Sequence, residues 1–151
     1  ALTGGRRLFG LDSAAHVPVV EIALLRSLPL FAALPAPQLE GLARSLEPCE
    51  VEDGTAVITQ GEPGDRYYAV AEGTIEVVRD GVHVATLHRG DGFGEVALLR
   101  GEPRNATCTA RGSVRLYALD QETFLEVVTG HPASHSAAEL IAAERTAPVA
   151  A

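Results

Sequence analysis

A carboxylate and a guanidinium lie nine positions apart in residues 93–107, which read FGEVALLRGEPRNAT. Arg104 directly follows Pro103, and a guanidinium offers a planar fork of donors that matches two phosphate oxygens. Glu95 has the opposite chemistry, because a carboxylate cannot bind phosphate but can accept a hydrogen bond from a sugar hydroxyl. These two side chains predict a ligand that carries both a phosphate and a sugar.

Glycine and backbone amides complete this set of binding groups. Gly94 allows the chain to adopt a positive φ or to approach a ligand closely. Residues 96–99 predict one short helical turn, whose first N–H groups have no partner inside the helix and lie at the positive end of its dipole. Such N–H groups behind a glycine suit a bound phosphate. The segment therefore fits a ligand with phosphate and ribose hydroxyl side by side, such as a nucleoside cyclic monophosphate.

Composition limits the classes of protein that need to be considered. At 151 residues with 46% apolar content, the chain fits one domain with a sufficient core. It shows no bilayer-spanning apolar run and no signal peptide, so we expect no membrane insertion and a cytoplasmic location, free or as the cytoplasmic domain of a membrane protein. The net charge is −8 and all twelve basic residues are Arg, which argues against nucleic-acid binding by this chain.

The elements around the segment follow from changes in periodicity. Residues 1–17 show no regular pattern, so we expect a linker or a loosely ordered lead-in. Residues 18–46 carry apolar positions at helical spacing, and Pro18 and Pro37 can each occupy a first helical position. Across residues 47–119, short apolar runs alternate with glycine turns, which predicts a β-roll of the jelly-roll or double-stranded β-helix type.

One hairpin of this roll can be placed from the sequence. Asp80 and Gly81 form a pair that predicts a tight two-residue turn. That turn sets Val77 opposite Val84, with both side chains on the same face of the hairpin. The register of the hairpin is thus a specific expectation.

Two helices are predicted over residues 120–146. Asp120 can cap the first by accepting from a free N–H group, and Pro132 can open the second. The apolar face of the second helix is thin and rich in Ala, so it buries little area and we expect this helix to be mobile. The predicted fold is mainly β, with helices at both ends.

Residues 93–107 resemble the phosphate-binding cassette of cyclic nucleotide-binding domains, the cyclic AMP-binding β-roll found in catabolite-activator-like proteins. The usual form is F-G-E-hydrophobic-A-L, a short loop, and P-R-x-A-T/S. The matching residues are Phe93, Gly94, Glu95, Ala97, Leu98, Pro103, Arg104, Ala106 and Thr107. The resemblance implies that Arg104 binds the phosphate and Glu95 the ribose, and it extends over about four-fifths of the chain.

The resemblance implies further binding roles. The backbone amides of Gly94, Val96 and Ala97 would face the ligand. Asn105 stands where members that prefer cyclic GMP often carry Thr, which favours cyclic AMP as the ligand and leaves cyclic GMP as the alternative.

The resemblance also implies how the base is held. Val77 and Val84 are candidates to line the base pocket, although a plain core role fits them equally. The last helix would close over the base as a lid. No aromatic residue follows Phe124, so the capping side chain would be aliphatic, or Arg145.

Histidines provide the one argument for a metal. His83 and His88 are close in sequence to Glu95, and cupins share the β-roll shape, but the His-x-His pair of cupins is absent. His131 and His135 have helical i, i+4 spacing without an evident third ligand. No nucleophile and base form a recognisable pair either. We therefore expect neither a metal or other cofactor nor an enzyme.

The resulting hypothesis is a sensor that couples cyclic nucleotide binding to movement of flanking helices in a larger protein. Residues 17–31, VPVVEIALLRSLPLF, resemble the junction before C-terminal cyclic nucleotide domains of some bacterial major-facilitator transporters, so a transporter is one expected partner. The alternatives are the effector domain of a transcription regulator without its DNA-binding part and a cupin-like metalloenzyme.

Overall fold

The computed structural model of the protein describes residues 17–148. Residues 1–16 of the predicted lead-in lie outside this described part, and Val17 already belongs to the first helix.

Helices flank a region of strands that contains one further short helix. The helices are α1 (Val17–Ser27), α2 (Ala36–Ser45), α3 (Glu95–Arg100), α4 (Gln121–Gly130) and α5 (Pro132–Thr146). The strands are β1 (Glu47–Val51), β2 (Ala56–Ile58), β3 (Arg66–Arg79), β4 (Val82–Leu87), β5 (Gly92–Phe93) and β6 (Thr107–Asp120).

The strands form one antiparallel sheet built around β3 and β6. The main order is β1-β6-β3-β4, while β2 pairs with β6 and β5 with β3. The register of β3 against β6 shifts on both sides of Glu72, and such irregularities bend and twist a strand. Gly73 lies at this bend with φ +96°, where an added Cβ would come within 2.6 Å of the Ser113 carbonyl oxygen. The bend therefore requires glycine.

The β3–β4 hairpin differs from the sequence prediction by one residue. Val77 pairs with Ala85 rather than with Val84. Val78 pairs with His83, so Val84 is the extra residue of a β-bulge. The predicted two-residue turn is present, since both of its residues have positive φ. The turn thus fixes the pairs next to it, and the bulge changes the register beyond them.

The core has two parts that share the sheet. One part packs α1, α2, α4 and α5 against the sheet, and the other is formed by the strands of the roll. Tyr67 of β3 belongs to the first part. Its ring meets Phe31 edge-on at a centroid distance of 5.8 Å and stacks on Phe124 at 5.0 Å. Tyr67 therefore connects the turn between α1 and α2 to α4 through the sheet.

The last helix packs through small side chains. The buried residues of α5 are Ser134, Ala138 and Ala142, whereas Leu140 is 69% exposed. The Ser134 hydroxyl is buried without a hydrogen-bond partner among the described residues. Small apolar contacts and an unpaired hydroxyl both weaken the docking of a helix. This packing gives a physical basis for the predicted mobility of α5.

Candidate functional site

Gly94 shapes the start of the site because it lies between β5 and α3. Its φ is +101°, in the left-handed region. An added Cβ would stand 2.9 Å from the Arg66 carbonyl oxygen and 3.0 Å from Nη1 of Arg104. Glycine is therefore required both by the backbone conformation and by the close approach of Arg104. The predicted helical turn follows as α3, with Glu95 as its first residue.

Arg104 is a buried guanidinium held by carbonyl groups. Its side chain donates from Nη1 to the Gly94 carbonyl at 3.0 Å and from Nη2 to the Arg66 carbonyl at 2.8 Å. The residue is 5% exposed, and burial lowers the pKa of its guanidinium. No carboxylate of the described residues lies within ion-pair distance of it. Among the described residues the guanidinium thus has no carboxylate at ion-pair distance, and the charges of Asp65 and Glu95 act on it only from farther away.

Glu95 is buried as well, but its charge is paired. Nη1 of Arg145 donates to Oε1 of Glu95 at 2.7 Å, and the carboxylate side chain is 1% exposed. Burial alone would lower the pKa of Arg145, but the charge of Glu95 and its hydrogen bond outweigh this effect and raise that pKa. Burial, followed by the Glu95 charge, raises the pKa of the nearby Tyr67 hydroxyl. Both neighbours of the carboxylate therefore keep their protons.

A cavity of about 170 Å³ lies between the roll, α3 and the end of α5. It is bordered by all eight residues that the sequence singled out, namely Val77, Val84, Gly94, Glu95, Val96, Ala97, Arg104 and Asn105. Val84 lies at the rim, where it is 42% exposed. The structure therefore brings these residues together in one place, and their binding roles remain proposals.

Several cavity residues were not assigned a site role from the sequence. Ile58 and Leu87 add apolar wall, and Cys108 places a buried thiol there. Burial raises the pKa of Cys108 to about 12, so the thiol stays neutral. Arg79 also borders the cavity. Its place beside the hairpin turn was the one signal in the sequence that could have suggested it.

The end of α5 is attached to the rim of the cavity. Nδ2 of Asn105 donates to the Arg145 carbonyl at 2.9 Å. The guanidinium of Arg79 donates to the same carbonyl and to that of Ala147. Asn105 is thus engaged with the last helix, an interaction that its position in the sequence did not indicate.

The histidines do not assemble a metal site within the described part of the chain. His83 contacts the Thr86 hydroxyl through Nε2 at 2.9 Å, and neither His83 nor His88 borders the cavity. No group of three or more His, Cys, Asp or Glu residues there is arranged to hold a metal ion.

Between residues 17 and 148, no helix has both the length and the apolar character needed to cross a membrane.

Comparison with known proteins gives one matching family and several relatives. The profile described as "Cyclic nucleotide-binding domain" matches residues 48–131. The cAMP-dependent protein kinase regulatory subunit of Yarrowia lipolytica is 44% identical over 102 residues, which cover 66% of this chain and 27% of that protein. The protein of the same name from Dictyostelium discoideum is 42% identical over 91 residues, which cover 55% of this chain and 28% of that protein. The chain spans about a quarter of the length of these two relatives.

A solved structure shares the fold over most of the chain. The regulatory domain of Toxoplasma gondii PKA, co-crystallised with cAMP, superposes with a TM-score of 0.77 at 27% identity. The match covers 93% of this chain and 55% of that one. The predicted mainly β fold with flanking helices is therefore confirmed.

Proposed function

This chain belongs to the family of cyclic nucleotide-binding domains, and from that premise we propose that it is a regulatory domain that binds cyclic AMP in the cavity beside Arg104. The observation that carries the proposal is that no carboxylate among the described residues lies within ion-pair distance of this guanidinium. A buried charge without a counter-charge is unfavourable. A ligand phosphate supplies the negative charge. Its oxygens can accept hydrogen bonds from the Arg104 N–H groups that do not donate to the Gly94 and Arg66 carbonyls.

The ribose is the proposed partner of Glu95. A carboxylate has about four acceptor positions, so Glu95 can keep its bond from Arg145 and also accept from a ribose hydroxyl. The backbone N–H groups at Gly94, Val96 and Ala97 add donors for the phosphate at the start of α3. This division gives one cationic side chain to the phosphate and one anionic side chain to the sugar.

The base is proposed to lie against the apolar part of the cavity. Val77 and Val84 form this wall together with Ile58 and Leu87. We propose cyclic AMP rather than cyclic GMP because the amide nitrogen of Asn105 is engaged with the Arg145 carbonyl. In addition, the related Toxoplasma gondii domain was crystallised with cAMP.

The proposed output is regulation of a protein kinase, without catalysis by this chain. Both curated relatives are regulatory subunits of a cAMP-dependent protein kinase, which makes a kinase catalytic subunit the favoured partner. These relatives are eukaryotic, so they give no support to the bacterial transporter that residues 17–31 suggested. The partner is inferred from proteins about four times as long as the matched region.

Calorimetry tests the binding proposal directly. Titration of cyclic AMP into nucleotide-free chain should show one site per chain, with cyclic GMP binding more weakly. Arg115→Ala is a matched control, because Arg115 is an exposed arginine of β6 that pairs with Glu72 at 4.0 Å and does not border the cavity. Absence of binding heat with both nucleotides would refute the proposal.

A further inference from the structure

The tip of the β3–β4 hairpin is fixed to a neighbouring loop. Nε2 of Gln60 donates to Oδ1 of Asp80 at 2.7 Å, and the Asp80 N–H donates to Oε1 of Gln60 at 3.0 Å. Asp80 adopts a φ of +53° in the turn. Two reciprocal hydrogen bonds therefore hold the residue that directly follows Arg79, which gives the Arg79 side chain a rigid base.

Arg79 projects from this base onto the end of α5. Its Nη1 donates to the Arg145 carbonyl and its Nη2 to the Ala147 carbonyl. It forms no ion pair with any carboxylate among residues that the structure describes. Its charge is therefore directed at backbone carbonyls of a single helix end. Asn105 adds a third donor to the same place, at 2.9 Å from the Arg145 carbonyl.

A helix end is a favourable target for such a side chain. The last four carbonyl groups of a helix have no N–H partner within the helix, and they lie at the negative end of its dipole. Arg79 supplies both hydrogen-bond donors and a positive charge there. The Arg145 side chain, one residue from the end of α5, reaches Glu95 in the cavity. Holding this carbonyl therefore also holds the side chain over the site.

We propose that Arg79, assisted by Asn105, is a clasp that keeps the end of α5 closed over the cavity and thereby sets how long a bound nucleotide remains. The clasp consists of the three donor contacts from these two residues to the Arg145 and Ala147 carbonyls. Arg79 acts here as a positioning residue for the helix. The effect on nucleotide residence rests on the proposed function, whereas the three contacts of the clasp join residues of this chain alone.

Amide hydrogen exchange tests the clasp independently of any ligand. In nucleotide-free chain, Arg79→Ala should raise the exchange rate of amides 142–146 about tenfold, since it removes two hydrogen bonds from a charged, partly exposed donor. Arg79→Lys should give a smaller increase, because an ammonium lacks the fork that reaches two carbonyls. Arg115→Ala should leave these amides unchanged. Equal exchange in wild type and in Arg79→Ala would overturn the clasp.

Dissociation kinetics test its consequence. A fluorescent cyclic AMP analogue, displaced by excess cyclic AMP, should leave Arg79→Ala about tenfold faster than wild type, with the association rate changed by less than about twofold. Faster dissociation with unchanged exchange would refute the clasp and assign Arg79 a direct ligand contact. If the wild-type chain binds no nucleotide, the proposed function fails, and the exchange experiment alone decides on the clasp.

The shared carbonyl provides an additional test. Because Arg79 and Asn105 donate to the same oxygen, their effects on exchange should not add. The effect of the double variant Arg79→Ala, Asn105→Ala on the free energy of opening should be smaller than the sum of the two single effects. Strict additivity would contradict a joint clasp. Circular dichroism of each variant establishes that the β-roll is intact.

Discussion

Replacing Arg104 with alanine separates ligand binding from fold stability. Two opposing effects act on the ligand-free chain. The substitution removes a buried charge that has no carboxylate at ion-pair distance within residues 17–148, and this removal favours folding. It also leaves the Gly94 and Arg66 carbonyls, now bonded at 3.0 and 2.8 Å, without this donor, at about 1–3 kcal/mol each. We therefore expect the free energy of unfolding to change by no more than about 2 kcal/mol.

The effect of the same substitution on binding should be larger. Without Arg104 the phosphate is left with backbone amides as donors in a partly closed cavity. Loss of one partner of a buried charged pair costs about 3–5 kcal/mol. This cost corresponds to a decrease in affinity of about two to three and a half orders of magnitude. Arg104→Lys should recover only part of this, because an ammonium cannot keep both carbonyl contacts and still grip two phosphate oxygens.

Two measurements on the same variants decide the question. Calorimetry with cyclic AMP gives the binding free energy, and denaturant unfolding without ligand gives the free energy of unfolding, with Arg115→Ala as the control in both. An Arg104→Ala variant that binds within about threefold of wild type would refute the assignment of Arg104 to the phosphate. A loss of stability as large as the loss of binding would make Arg104 a structural residue instead.

Two other substitutions test the ribose acceptor and the packing of α5. Glu95→Ala should weaken cyclic AMP binding by about 1.5–3 kcal/mol and abolish the preference over 2′-deoxy cyclic AMP, measured by competition. Retention of the wild-type preference would show that Glu95 is not the ribose acceptor. Ser134→Ala should raise the free energy of unfolding by about 1 kcal/mol in denaturant titrations, because it removes a buried hydroxyl that has no hydrogen-bond partner among the described residues. The exposed Ser136→Ala in the same helix is its control, and equal stability of the two variants would contradict this reasoning.

Features that depend on neighbours in sequence could be predicted. Asp120 caps α4, since its Oδ1 accepts from the Thr123 N–H at 2.8 Å, and Pro132 is the first residue of α5. The alternation of apolar runs with glycine turns was sufficient for the fold class. The cassette pattern was sufficient to select Gly94, Glu95, Val96, Ala97, Arg104 and Asn105, six residues that border one cavity. In each case the physical cause lies within a few positions of the residue concerned.

Features that depend on contacts across the fold could not be predicted. The hairpin turn determines the pair beside it, Arg79 with Val82, but not the bulge at Val84 that follows. The Arg145–Glu95 pair joins residues 50 positions apart, and the sequence left open whether Arg145 or an aliphatic side chain lies over the cavity. The contact of Arg79 with the Arg145 carbonyl spans 66 positions. Neither contact leaves a local pattern.

The contacts of Tyr67 with Phe31 and Phe124 have a consequence for how the domain can be divided into fragments. Residues 48–131, which match the family profile, contain two of these rings but exclude Phe31 and the whole of α5. A fragment trimmed to that match would lose the ring that packs edge-on with Tyr67. It would also lack Arg145, leaving a carboxylate that is now 1% exposed without its counter-charge. A stable fragment of the domain therefore needs the helices on both sides of the matched segment.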